Sequence, residues 1–149
     1  MSVLLDTNIL LRMAELQHVM HETALQAAKA LVGGGETLCL VSQNLYEFWV
    51  VSTRPVAQNG LGLSAVQAEA ELTEIKRQFG IHDDTPAIRP TWEQLVAKYQ
   101  VIGKNAHDAR LVAAMIAHKI PRILTFNTAD FLRYKEIEAI APEAVAKSS

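Results

Sequence analysis

Cysteine is nearly absent from this 149-residue sequence, where Cys39 stands alone. A single thiol forms no intrachain disulfide and no thiolate metal cage, so the chain suits a reducing compartment. Long apolar runs are missing as well. The nearest candidates are broken by Asp6 and Arg12 or by Glu47, well short of the roughly 20 residues a membrane-spanning helix needs. No basic segment precedes the apolar start Val3-Leu4-Leu5, and Asp6 follows it at once, which does not fit a signal peptide. Seven Gly and five Pro exclude a collagen-like or low-complexity chain, and a hydrophobic content of 50% excludes a disordered one. Positive charge is not in excess, since 14 Lys and Arg stand against 16 Asp and Glu for a formal net charge of −2. Net charge alone would therefore not capture a nucleic acid. The expectation is one soluble, cytoplasmic domain over 1–149, long enough to bury a real core.

Two periodicities alternate along what is there. Val3-Leu4-Leu5 and Thr37-Leu38-Cys39-Leu40-Val41 are short continuous apolar runs, the pattern of strands buried on both faces. Ile9 to Leu11 and Ala24 to Val32 read as helical, stopped by Gly33-Gly34-Gly35. Ser42 starts an apolar helix that ends before Pro55. Residues 56–63 form a loop, and Ser64 caps a long amphipathic helix to about Phe79. A weak strand over Ile81 to Asp83 and a turn at Pro86 follow, then helices starting at Thr91 and at Asn105. Pro121 ends the last of these. Arg122 to Phe126 is a late strand, Thr128 to Tyr134 a short helix, and Ile137 to Ile140 a final strand. Strands alternating with helices predict an α/β/α sandwich, Rossmann-like, around a mainly parallel sheet.

Ligands of open α/β sheets bind outside the carboxyl ends of the strands, so the polar residues there matter most. Asp6 sits at the tip of the first strand. Thr125 to Asn127 occupy the tip of the late strand, with Asp130 just beyond. Asp108 lies in the first turn of the helix that feeds that strand, where a right-handed crossover brings it to the same crevice. Glu47 stands in an apolar and aromatic stretch with no Lys or Arg three or four residues away. An unpaired buried carboxylate costs several kcal/mol, so Glu47 must meet a cation or face a crevice. Plain structural roles exist for the others, an Asx-turn for Asp6 and helix N-terminal charge for Asp108 and Asp130. Acids gathered in one place repel unless neutralised, and an oxygen-only set suits Mg²⁺ or Mn²⁺. Such an ion activates water and stabilises charge on a phosphate.

Four segments together resemble the PIN domain, and more narrowly its VapC-type toxins. They are Leu4-Leu5-Asp6-Thr7-Asn8, then Glu47 within Ser42-Gln43-Asn44-Leu45-Tyr46-Glu47-Phe48, then His107-Asp108-Ala109-Arg110-Leu111, then Leu124-Thr125-Phe126-Asn127-Thr128-Ala129-Asp130-Phe131. The resemblance covers nearly the whole chain in the family's order. It implies a Mg²⁺- or Mn²⁺-dependent endoribonuclease, a homodimer, held inactive by a cognate antitoxin protein. Asp6, Glu47 and Asp108 match the family's metal-binding acids. The family's fourth acid falls where this chain has Asn127, and Asp130 stands near enough to compensate. Asn8 and Thr125 match supporting polar positions. The implied reaction is hydrolytic, with Asp6 and Asp108 holding the metal and Glu47 orienting or deprotonating water, leaving a 5′-phosphate and a 3′-hydroxyl.

Two other functions start from the same residues. A haloacid-dehalogenase-type phosphatase also begins with a strand-end Asp, but wants a second Asp where this chain has Asn8, and a catalytic Lys. A catalytically impaired PIN-like binding module is the reading that Asn127 keeps open. His107 reads as incidental, pointing away from Asp108, and His18 with His21 as a solvated helix start. Apolar residues in the Leu61 to Phe79 and Trp92 to Tyr99 segments belong to the core, or to a dimer face or antitoxin groove.

Overall fold

The computed structural model of the chain describes residues 1–146. Its sheet has five strands, β1 (Ser2–Leu5), β2 (Thr37–Val41), β3 (Gly80–His82), β4 (Arg122–Leu124) and β5 (Glu138–Ile140). All pair in parallel in the order β3-β2-β1-β4-β5. The α-helices are α1 (Thr7–Ala14), α2 (His21–Gly33), α3 (Ser42–Thr53), α4 (Ala65–Gln78), α5 (Ile88–Lys98), α6 (Asn105–Ala117) and α7 (Pro142–Ala146). The chain steps from β1 outward to β2 and β3, then returns through α5 and α6 to place β4 on the other side of β1. The order therefore reverses between β1 and β4, and a reversal of this kind opens a crevice at the strand tips.

Period-2 alternation sorts the strands' apolar residues between two cores. Leu4, Cys39, Val41 and Ile123 face α5 and α6, where Leu95, Leu111, Val112 and Met115 close over them. Val3, Leu5, Leu38, Leu40 and Leu124 face the other way, onto Leu10, Ala27, Leu31, Phe48 and Ile75. Both faces are covered, which is why the two central strands read as unbroken apolar runs rather than alternating ones. The α/β/α layering is that expected from the pattern.

Boundaries differ in several places, β3 covering Gly80–His82 rather than Ile81 to Asp83 and α2 starting at His21 rather than Ala24 among them. Helix α5 starts at Ile88 rather than Thr91, because Pro90 falls in the first turn, where its missing N–H has no intrahelical partner to lose. Strand β4 stops at Leu124, since Thr125 turns its hydroxyl to the site described below. The segment after it is only a 3-10 turn over Thr128–Phe131, not a helix to Tyr134. Short helix α7 adds a further contact on α2 that the apolar pattern does not announce. Ser64 caps α4 as expected, its hydroxyl accepting from Gln67 N–H while the Gln67 side chain accepts from Ser64 N–H. His18 and His21 brace the link from α1 to α2 through backbone groups of Met20 and Arg12. Among the described residues, no helix is long and apolar enough to cross a membrane.

Candidate active site

Asp6 leaves β1 at the point where the sheet order reverses. Its backbone N–H still bonds Leu124 O across to β4, at 2.9 Å. The carboxylate is 8% exposed and caps α1, Oδ1 accepting from Thr7 N–H at 2.7 Å. Oδ2 accepts from the Thr125 hydroxyl, also at 2.7 Å. Thr125 is fully buried and in turn accepts from Asn8 Nδ2 at 3.3 Å and Asn127 N–H at 3.0 Å. Asn8 completes the exchange by accepting from Phe126 N–H at 3.4 Å. Thus one threonine, with its proton given to Asp6, locks the tips of β1 and β4 together.

Glu47 lies one turn into α3, half-buried. Oε1 accepts from Thr7 Oγ1 at 2.8 Å and Oε2 from Gln43 Nε2 at 3.1 Å. Asn44 supports the same corner, its Nδ2 donating to Leu5 O and Thr7 Oγ1. Asp108 comes from the first turn of α6. Asp6, Asn8, Glu47, Asp108 and Asn127 all line one cavity of about 520 Å³. Three chain segments far apart in sequence thus deliver their acids to one place.

Among the described residues, none of these acids forms a salt bridge. Burial pushes Asp6 up to about 6, against the pull of its bonds from Thr125 and Thr7, and the charges of Glu47 and Asp130 add to the rise. Burial also raises Asp108 to about 6, with Asp6, Asp130 and Glu47 pushing the same way. Asp130 is exposed and does not line the cavity, yet its charge reaches both buried acids. Asn127 occupies the wall itself and Asp130 supplies the negative charge from behind.

An oxygen-only donor set that repels itself fits a hard divalent cation. Among the described residues, no three His, Cys, Asp or Glu side chains stand close enough to enclose an ion unaided. A divalent ion held there would keep some of its own waters.

Several site residues escape a reading of the sequence. Thr7 and Gln43 hold Glu47, and the i,i+4 spacing of Gln43 to Glu47 was the available signal. Arg54 lines the cavity two turns beyond Glu47 on α3, its guanidinium without an ion pair or hydrogen bond among the described residues. It is held in place by the following loop. Gly62 N–H donates to Arg54 O at 2.9 Å, and Gly60 packs so closely that a Cβ there would fall 2.0 Å from Arg54 O. His107 also lines the cavity, contrary to its expected direction, and its charge favours ionised Asp108. The reason is that the cavity meets α6 end-on, so neighbouring first-turn residues both reach it. Among the described residues no lysine lines the cavity, which leaves the phosphatase reading without its catalytic lysine.

A doubly covered parallel sheet with strand-tip acids at its order reversal defines an α/β domain built to hold a charged ligand. The sequence matches the family described as PIN domain over residues 3–137, and the chain belongs to that family. No match is found among curated proteins. Among solved structures, the chain is similar to one of VapBC2 from Rickettsia felis bound to a promoter DNA fragment. That likeness has TM-score 0.67 and 18% identity, covering 95% of this chain and 98% of the other. It is similar to VapBC-1 from nontypeable Haemophilus influenzae at TM-score 0.69 and 13% identity, over 95% and 98% of the two chains. It is also similar to Mycobacterium tuberculosis VapC20, described as a sarcin-ricin loop cleaving toxin. There the TM-score is 0.59 and the identity 19%, over 81% of this chain and 86% of that one.

Proposed function

We propose that this protein is a Mg²⁺- or Mn²⁺-dependent endoribonuclease, the toxin of a toxin–antitoxin pair acting in the cytoplasm. The observation that carries this reading is the meeting of Asp6, Glu47 and Asp108 in one cavity, with none of the three in an ion pair among the described residues. The PIN family and the likeness to VapC20, an RNA-cleaving toxin by its description, support the substrate class.

Asp6, Asp108 and Glu47 would hold the cation, directly or through water, with Asp130 adding charge from outside the lining. When bound, a divalent ion supplies electrophilic help at the scissile phosphodiester and a more acidic water. Thr125 and Asn8 keep Asp6 aimed, and Asn127 lines the wall without adding a charge. Glu47, which lines the cavity, accepts the proton of the attacking water; Thr7 and Gln43 each donate to one of its oxygens, and each oxygen keeps a further lone pair. Arg54 meets a phosphate of the bound strand. The products are a 5′-phosphate and a 3′-hydroxyl.

An antitoxin and a second copy of the chain are the proposed partners. Complexes named VapBC among the similar structures support the first. An apolar cleft of about 290 Å³, walled by Leu10, Met13, Leu25, Ile75 and Phe79, offers a partner helix a place between α1, α2 and α4. Of the apolar residues in the Leu61 to Phe79 segment, only Ile75 and Phe79 reach this cleft, while Leu61 and Leu72 pack against the core.

RNA cleavage with added Mg²⁺ or Mn²⁺, compared between wild type and Asp6→Asn, tests the reading. Cleavage is expected to vanish in EDTA and in the variant. Cleavage that survives both would sink it.

A further inference from the structure

The sheet does not fix the separation of Glu47 and Asp108, because they come from different helices packed on opposite faces. One buried side chain spans them. Gln43, 6% exposed in the first turn of α3, donates through Nε2 to Glu47 Oε2 at 3.1 Å and to the backbone oxygen of His107 at 2.8 Å. Its Oε1 accepts from Arg110 Nη1 at 3.0 Å, and Arg110 Nη2 donates to Asp84 Oδ2 at 3.3 Å. A guanidinium has only donors, while an ionised carboxylate and a carbonyl have only acceptors. The three partners therefore admit one orientation of the amide, with its oxygen toward Arg110 and its nitrogen toward Glu47. A flip would set N–H against N–H and oxygen against oxygen.

We propose that Gln43 and Arg110 are positioning residues for Glu47, forming an amide–guanidinium clamp that sets its carboxylate relative to Asp108. Arg110 acts through Gln43, choosing which end of the amide faces the carboxylate. Gln43 then ties the Glu47 oxygen to the residue directly before Asp108, so that the two walls of the cavity move together. Asp84 steadies the arginine from the β3–α5 connection. Neither residue lines the cavity that holds the acids. The inference rests on the metal-dependent nuclease reading above. It deepens that reading by assigning the device that holds one acid of the site.

The test measures Mn²⁺ affinity by isothermal titration calorimetry and single-turnover RNA cleavage. The proteins are wild type, Gln43→Met, Arg110→Met, Arg110→Lys, the double Met variant and Glu47→Gln. Gln43→Met keeps the volume and removes both donors. It is expected to weaken Mn²⁺ binding about 10–100-fold, the usual effect of losing a group that orients a ligand, with KM for RNA unchanged. Arg110→Met weakens binding in the same direction and Arg110→Lys recovers part of it. The double variant binds no worse than Gln43→Met, because the two act in series. Unchanged Mn²⁺ affinity in Gln43→Met and Arg110→Met, or losses that multiply in the double variant, overturns the clamp. If Gln43→Met does not fold, the two Arg110 variants decide, since that side chain is 35% exposed; affinities equal to wild type in both overturn it. Glu47→Gln and Asp6→Asn together separate the two levels. Loss of binding in Glu47→Gln with intact binding in the Gln43 and Arg110 variants overturns the clamp alone, as does intact binding in Glu47→Gln, whereas cleavage that survives both EDTA and Asp6→Asn overturns the nuclease reading and the clamp with it.

Discussion

The Thr125 hydroxyl donates to Asp6 Oδ2 at 2.7 Å, joining residues 119 positions apart in sequence. That bond sits where β1 and β4 meet and where the sheet order reverses. It ties the most buried acid of the site to the edge of the core. Its removal should be felt in both stability and chemistry.

Replacing Thr125 by Val keeps the shape and removes the hydroxyl. Asp6 then loses a bond that favours its ionised form, and Asn127 N–H and Asn8 Nδ2 lose their acceptor. The expected cost is about 1–3 kcal/mol in denaturant unfolding, for buried polar groups left unpaired. Mn²⁺ affinity should fall as well, by about 10–100-fold. Unfolding and metal titration curves that superimpose on wild type would contradict the role given to this threonine.

Acidification should stabilise the metal-free protein. Asp6 ordinarily titrates near 3.8, and the fold raises it to about 6. Between those values the folded state binds more protons than the unfolded state, so stability rises as pH falls through the window and levels off below it. For Asp6 the gain is at most on the order of 3 kcal/mol. Asp108 shifts the same way but is only half-buried, so its share is smaller. Urea unfolding in EDTA at pH 7.5 and pH 5.5 checks this, with the higher midpoint expected at pH 5.5. Asp6→Asn should flatten the difference and raise stability at pH 7.5. A midpoint that drops on acidification in both proteins would show that the acids are not strained by burial.

Arg54 is the cation on the wall of the cavity, at the end of α3. Arg54→Ala should raise KM for RNA several-fold with kcat nearly unchanged, since a phosphate contact of this type binds substrate and transition state alike. The salt dependence of cleavage should be shallow in wild type and shallower by about one counterion in the variant. A steep wild-type slope, of the kind many released counterions produce, would mean that the RNA meets a basic surface elsewhere on the chain.

Gly60 is the spacer that lets the 56–63 loop close against Arg54. A methyl group there meets Arg54 backbone at 2.0 Å, so the loop or the end of α3 must move. Gly60→Ala should lower the thermal midpoint and reproduce the KM increase of Arg54→Ala without touching the guanidinium. A variant with normal KM would mean that Arg54 keeps its place without the loop.

Where local chemistry dominates, the sequence was legible. β2 spans Thr37–Val41 and α3 starts at Ser42, as the apolar run and the turn to helical spacing require. Ser64 caps α4 because its hydroxyl and the Gln67 side chain are three residues apart, within reach of each other's backbone. The expected helix after Thr128 shortened to a 3-10 turn, because the tip of β4 is committed to Thr125 and Asn127 contacts that spacing does not reveal. Glu47 was recognisable as an acid in need of a partner. Its partners were not, because Thr7 lies 40 residues away.

The sequence by itself determined the five strands, six of the seven described α-helices, their parallel arrangement and the acids that stand at the strand ends. Those follow from periodicity and from a right-handed crossover, both of which act over a few residues or one turn of chain. Only the tertiary structure decided which neighbours hold each acid. Thr125 on Asp6, Gln43 and Thr7 on Glu47, Arg110 on Gln43 and Arg54 at the wall are contacts between segments brought together by packing. Nothing in the spacing of residues encodes a distance between helices on opposite faces of a sheet. The packing of the two cores sets that distance, and with it the charge density of the cavity.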